Sequence, residues 1–354
     1  MAYTFPWNQV NTLVQSYIAP TLQDQVFKSN AYLNRAKGRI KFFTGGRDIV
    51  QPQVWKAQDG GWFAGMDVLD TTETDDIQAA TFRAKNAYVP LVISWEEQQK
   101  VQGDQMVKSL MEAKSEIAKN SAYRLINTNL YNAGTEIKAL TGLQYSLRDF
   151  TGAAPGVLPA QTYAGIPRQG RYDGSGGGTQ TNNWWIHYGD NTAYVTTAGG
   201  NFDPKTAGNV HEVLGRAWAN IRIQSHKSPT LMLSNYGTWT AYKNALSMND
   251  RYQRPEMDNK TAEAGYDSLM FHKAVWIADE DAPRDASKIE KLYFLNEEAV
   301  RLYVASGVNF AFEPFRKPPN QMGQVGYILF RGEVCVVEPR ACGVLSSIDT
   351  SAVS

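Results

Sequence analysis

The chain has 354 residues, 43% of them hydrophobic and 20% charged, which is the composition of a folded globular protein large enough to divide into lobes. Its 35 basic and 35 acidic residues cancel. That balance argues against a surface built to grip phosphate backbones, and it leaves no net charge to hold copies apart.

The two cysteines, Cys335 and Cys342, are too few for a disulfide framework or a cysteine zinc site. Cys335 lies in an apolar run and reads as a small buried hydrophobe. The opening "MAYTFPWNQV" lacks a basic segment followed by an apolar one, so no signal peptide is expected. The longest apolar stretch, "YVPLVISW" (88–95), is too short to span a bilayer. A soluble protein made in a cytoplasm, with no membrane partner, is the expectation.

In chain order, residues 1–45 read as a polar arm with short helices. Val10, Leu13, Val14 and Tyr17 fall on one helical face, and Leu22, Val26 and Phe27 form a second stripe after Pro20. Residues 46–95 read as one long β-hairpin, with Ile49–Trp55 outbound and Ile77–Ile93 returning. Trp55, Trp62 and Phe63 lie on or near its tip with no local core to enter. The tip "DVLDTTETDD" carries Asp67, Asp70, Glu73, Asp75 and Asp76. Its spacing lacks the alternate ligands and the sixth-position glycine of a calcium loop, so a solvated acidic loop or a contact with a basic partner fits it better. Arg35, Lys37, Arg39, Lys41 and Arg47 make a basic cluster of matching size.

Residues 102–131 predict a long helix with a buried stripe of Met106, Leu110, Ala113, Ile117 and Leu125, stopped by Gly134. Residues 148–203 read as loop, with "DGSGGGTQTNN" (173–183) too polar and flexible to enter a core. An α/β lobe follows. Val210, Val213, Leu214, Ala217, Trp218 and Ile221 define an amphipathic helix, "TLMLSN" (230–235) a buried strand and Tyr236–Leu246 a second helix. Residues 269–278, 291–296 and 308–315 predict further strands. Val325–Phe330 and Glu333–Val337 predict a closing hairpin, apolar on both faces and hinged at Arg331-Gly332.

Catalytic patterns are missing. His187, His211, His226 and His272 have no histidine or cysteine at ligand spacing, and His211 beside Glu212 reads as solvated. There is no Gly-x-Ser-x-Gly elbow or phosphate loop, and "GSGGG" neither follows a strand nor opens a helix. Glu96-Glu97 and Glu297-Glu298 read as solvated charges at helix starts. No cofactor, metal or catalytic residue is expected.

The order of these parts, together with several local patterns, resembles the major capsid proteins of tailed bacteriophages. The patterns are "KALTGL" (138–143), "AGIPR" (164–168) followed by "NNWW" (182–185), "LYFLN" (292–296) and "NFAFEPFRKPPNQMGQVGYILFRGEVCVVEPRACGVL" (309–345). The resemblance implies an α+β chain with the Hong Kong 97-type capsid fold. Its parts would be an N-terminal arm (1–45), an extended hairpin loop (46–95) and a spine helix of the peripheral domain (96–137). An α/β axial domain (138–300, with 148–203 as inserted loop) and peripheral-domain strands (301–354) would follow.

It further implies hexamers and pentamers in an icosahedral shell around non-specifically contacted double-stranded DNA. Such a virion capsid would be assembled in the host bacterial cytoplasm. Trp55, Trp62, Phe63, the acidic tip and Arg35, Lys37 and Arg39 would then be intersubunit contacts. A separate scaffolding protein, a portal and optionally a decoration protein are the implied partners. No long helical segment precedes the arm, which implies either that such a segment was already removed or that a separate scaffold acts, and Met1 favours the second. The Gly-rich stretch between Arg168 and Trp184 is longer than the family's, which implies a surface loop. An encapsulin-like compartment holding cargo enzyme shares the fold and is the alternative; an unrecognised enzyme is a more distant one.

Overall fold

The computed structural model describes residues 10–12, 14, 31–55, 61–68, 76–100, 104–134, 136–148, 157–171, 183–190, 194–196, 202–204, 210–247, 268–319 and 321–351. Helix α1 (Ala31–Ala36) and a 3-10 turn (Lys37–Arg39) lead into β1 (Lys41–Phe43). Strands β2 (Asp48–Val54) and β3 (Ile77–Arg83) pair as a hairpin, and β4 (Lys85–Ser94) departs from it after Ala84. Helix α2 (Trp95–Lys100) precedes α3 (Asp104–Leu130), whose 27 residues span roughly 40 Å.

A short helix α4 (Leu143–Ser146) and a second hairpin, β5 (Val157–Tyr163) with β6 (Ile166–Arg171), come next. Then follow β7 (Tyr188–Asp190), β8 (Tyr194–Thr196), β9 (Phe202–Pro204), α5 (Val210–Ser225), β10 (Leu231–Ser234) and α6 (Tyr236–Ser247). Strands β11 (Ser268–Phe271), β12 (Ala274–Ala278), β13 (Ile289–Leu295), β14 (Val300–Arg316), β15 (Gly323–Val336) and β16 (Gly343–Asp349) complete the described fold.

Two main sheets result. The first has the order β1-β14-β15-β4. One face of β4 (Val89, Leu91, Ile93) joins a core with Met111, Ala118, Ala122, Ile126 and Leu130 of α3. The second sheet runs β11-β12-β10-β13-β16-β8-β9, with β7 also beside β16. Its central strands are apolar on both faces because both are covered. Leu231, Leu233, Val275, Ile277, Tyr293 and Leu295 face the core shared with the first sheet. Met232, Trp276, Leu292 and Phe294 face Val213, Leu214, Ala217 and Ile221 of α5.

Several expectations are corrected. Residues 325–336 form one strand rather than a hairpin, since β15 runs unbroken through Arg331-Gly332. Gly332 serves close packing instead of turning: a Cβ there would lie 2.7 Å from the Tyr303 carbonyl oxygen and 2.8 Å from the Phe330 ring. The irregularity sits in the partner strand, where the register jumps between Val304 and Asn309. The strand is covered on both faces only in its second half, and Tyr327 remains exposed.

The return strand of the 46–95 hairpin divides at Ala84, and β4 pairs with β15 along its whole length. The stripe predicted for α3 is rotated in part: Leu110 is half-buried against the core, while Ala113, Ile117 and Leu125 are exposed. The buried positions are those named above, and the Met106 side chain lies outside what is described. The segment 148–203 contains β5 through β9 and is not loop throughout. Residues 269–278 are two strands joined at His272-Lys273, with His272 at φ 51°. Strand β16 belongs to the second sheet, so residues 301–354 do not all serve the first. The stripes at Leu13, Tyr17, Leu22, Val26 and Phe27, and the Gly-rich residues 173–182, lie outside the described residues.

Candidate functional site

The β2–β3 hairpin has its apolar face turned outward. The strands pair Asp48 with Arg83, Val50 with Thr81, Pro52 with Ala79 and Val54 with Ile77 on one face. Because side chains alternate along a strand, Ile49, Gln51 and Gln53 share the other face with Phe82, Ala80 and Gln78. On that inner face Ile49, Ala80 and Phe82 are buried at the root, and glutamines occupy the rest. On the outer face Val50, Val54 and Ile77 are 57%, 74% and 60% exposed. A half-buried hairpin serving only its own chain would show the opposite pattern.

Beyond the strands, Trp62, Phe63, Met66 and Val68 are exposed, and the Ala64 N–H donates to Asp67 Oδ2 at 2.9 Å. Asp76 is half-buried and its carbonyl oxygen accepts from the Trp55 N–H at 3.0 Å. Asp70, Glu73 and Asp75 lie outside the described residues. Trp55 differs from Trp62 and Phe63, because it does find a local partner: its ring stacks on Trp184 with centroids 6.4 Å apart.

The basic cluster is not uniformly available to an acidic partner. Arg35 is committed within the chain. Its Nε and Nη2 donate to the two oxygens of Glu297 at 2.7 and 3.2 Å, and Arg39 Nη1 lies 3.5 Å from the same carboxylate. Burial alone would raise the Glu297 pKa, but the hydrogen bonds and charge of Arg35, with Arg39 behind, lower it below the usual value. Glu297 also accepts from Thr230 Oγ1 at 3.1 Å and lies in a turn before β14, so it is neither solvated nor at a helix start. Lys37 is exposed. Glu97 is likewise engaged: it caps α2 reciprocally with Ser94, at 3.0 and 3.2 Å, and pairs with Lys114 at 2.8 Å.

The hairpin root rests on a polar-cored seat built from "AGIPR" and "NNWW". Ala164 and Gly165 turn the chain between β5 and β6 at φ 53° and 82°. Arg168 is fully buried, donating Nε and Nη2 to Gln161 Oε1 at 3.1 and 2.6 Å and Nη2 to the Tyr145 carbonyl oxygen at 3.1 Å. Its guanidinium stands 4.8 Å from the Tyr163 ring centroid, and burial lowers its pKa to about 10, so it stays cationic at neutral pH. Trp185 donates to the Tyr163 carbonyl oxygen at 3.1 Å, and the Tyr163 hydroxyl accepts from the Val336 N–H at 2.9 Å. The seat thereby ties the hairpin root to β15.

A second buried polar joint lies nearby. Glu333 on β15 accepts from the N–H groups of Thr141 and Val334 at 2.8 and 3.1 Å. Burial outweighs those bonds and the charge of Lys85, and pushes its pKa up to about 8. The histidines do not converge. His187 is buried with Nε2 2.7 Å from the Arg148 carbonyl oxygen, and burial, then the Arg168 charge, holds its pKa well below the usual value. His211 is partly buried against Tyr242 rather than fully solvated, and His272 stacks on Trp218. Cys335 and Cys342 are buried and unpaired. Among the described residues no three His, Cys, Asp or Glu side chains gather as a metal site, and no helix is long and apolar enough to cross a membrane. The sequence does not single out the outward apolar face, Trp184, Arg168 or Glu333 as site residues. The alternation at 50–54 signals the first, the patterns "NNWW" and "AGIPR" contain the next two, and Glu333 has no local signal.

No family model matches the sequence, and no curated protein matches it. Solved structures do. The capsid of cyanophage A-1(L) aligns over 96% of this chain and 96% of its own, at 13% identity and a TM-score of 0.60. The capsid of a native GTA particle aligns over 88% and 90%, at 13% identity and a TM-score of 0.54. An encapsulin complex from Synechococcus elongatus aligns over 90% and 88%, at 9% identity and a TM-score of 0.46, too low to weigh in the argument. The chain as a whole therefore has the Hong Kong 97-type fold of these tailed-phage capsids.

Proposed function

We propose that this chain is the major capsid protein of a tailed bacteriophage, a non-catalytic subunit that works by association. Hexamers and pentamers of it would close an icosahedral virion shell around double-stranded DNA. The observation that carries this reading is the inverted hairpin: Val50, Val54 and Ile77 face solvent while Gln51 and Gln53 face the chain's own body. Such a face gains free energy only when another molecule covers it. A neutral chain suits dense self-association and sparse, non-specific contact with a packaged genome. A separate scaffolding protein, a portal and a decoration protein are the partners this reading calls for, and assembly belongs in the host cytoplasm.

The test is to express the chain, with and without candidate scaffolding proteins, and to image the product by negative stain. Capsomers or closed shells are expected, and native particles should yield double-stranded DNA. Shells that hold a folded enzyme and no genome would replace this reading with a cargo compartment. Dispersed monomers under every condition would overturn it.

A further inference from the structure

The hairpin meets its own chain at two stations of unequal strength. At the root Ile49, Ala80 and Phe82 are buried. Phe82 there meets the Tyr163 ring edge-on at 5.7 Å, and the Thr81 N–H donates to the Ala164 carbonyl oxygen at 2.8 Å. The outer station, at the end of β2, is the stack of Trp55 on Trp184, which leaves Trp55 37% exposed. Between the stations the inward face carries Gln51, Gln53 and Gln78, side chains that gain little by lying on an apolar surface. The chain enters the hairpin through Gly45-Gly46, at φ 72° and 78°, and a Cβ at Gly45 would meet nothing within 4 Å. Arg331 Nη2 donates to the Gly46 carbonyl oxygen at 2.7 Å and fixes the base of that elbow to β15.

We propose that Trp184 is a clasp for the hairpin. While Trp55 lies on it, the outer half of β2–β3 is held along its own chain. When the stack opens, that half lifts as a unit about a root that stays in place. Trp55 and Trp184 are thus positioning residues that set the angle at which the outward apolar face is presented. Trp184 suits the role because it is itself held, packed against the main core with the tilted Trp185 ring 5.3 Å away, while Trp55 stacks on it from the hairpin. That the angle matters for joining copies rests on the shell reading; the clasp itself does not.

The test is hydrogen exchange on the dispersed full chain, with Trp55→Ala, Trp184→Ala and Trp55→Phe compared with the parent. Loss of one aromatic pair should speed exchange at Gln53 and Gln78, whose N–H groups are the cross-strand hydrogen-bonded ones of the outer half, about three- to tenfold. Amides of the root, at 49–50 and 80–82, should keep the parent rate, and Trp55→Phe should restore most of the protection. Parent rates at the outer amides in Trp55→Ala would overturn the proposal, as would equal acceleration of root and outer half. Trp55→Ala decides the matter if Trp184→Ala fails to fold, since Trp55 sits at the rim. Particle formation by the same variants is read separately, so failure of the clasp and failure of the shell reading give different results.

Discussion

Charging the outer face of the hairpin should abolish association while sparing the subunit. Val54 and Ile77 stand directly opposite on that face, 74% and 60% exposed. Full burial of such a side chain contributes roughly 1.5–3 kcal/mol, so covering the exposed part contributes about 1–2 kcal/mol each. The pair then accounts for about 2–4 kcal/mol per contact, or about thirty- to a thousandfold in that contact's equilibrium constant. Val54→Lys with Ile77→Glu removes this term and adds the cost of drying two charges, while opposite charges across the strands keep the hairpin paired. The isolated subunit should retain its far-ultraviolet circular dichroism, with a melt within about 0.5 kcal/mol of the parent, as for other exposed positions. Sedimentation velocity and negative stain should show the variant arrested at capsomers or monomers. Closed shells at the parent yield would refute the argument, because the face would then be uncovered in the particle.

Glu333 should make stability fall with rising pH. Its folded pKa, about 8, lies above the ordinary 4.5, so its contribution is complete below about pH 4.5 and is lost as pH rises to 8. The slope is about 1.4 kcal/mol per pH unit. Glu333→Gln removes that titration, and its urea midpoint should vary less between pH 5 and 8 than the parent's; equal slopes would count against the buried acid. Arg35→Ala should destabilise by about 3–5 kcal/mol, because it leaves the buried Glu297 carboxylate with the Thr230 hydroxyl at 3.1 Å and only one cation, Arg39, at 3.5 Å. Since the Glu297 pKa is lowered, the stability from this pair is present above the unfolded carboxyl value and is lost as pH falls through the folded one. A loss in Arg35→Ala no larger than that of an exposed arginine, read from denaturant melts, would refute it.

The parts legible in the sequence are those whose pattern is local. Helix α5 shows its stripe of Val213, Leu214, Ala217 and Ile221 plainly, and "LMLS" and "LYFL" announce strands covered on both faces. Helix α3 was legible in extent but not in orientation. Its buried face is Met111, Ala118, Ala122 and Ile126, small at two positions, while Ile117 and Leu125 point outward and mislead the eye. The sign of the hairpin faces had the same weakness: alternation at 49–54 gives two faces, and only tertiary packing says which is inside. Ser94-x-x-Glu97 is a capping box, a signal wholly local to the sequence. The Arg35–Glu297 pair and the Glu333–Thr141 joint join residues far apart in the chain, and no spacing rule reaches across such a distance. Gly332 shows the limit most clearly, since a glycine needed for close packing and one needed for a turn are the same letter.

The second sheet places β16, drawn from the last tenth of the described sequence, between β13 and β8 in its interior. The first sheet likewise joins β1 and β4, made early, to β14 and β15, made late. Neither sheet can close while the polypeptide is still being synthesised past β13, because each lacks an inner strand until then. Contacts between such distant segments form slowly and leave apolar edges open in the meantime. Until β14 and β15 are made, the chain has no first sheet on which to hold its hairpin. Chaperone demand should be concentrated before β16 takes its place between β13 and β8, while the edges of those strands stand open.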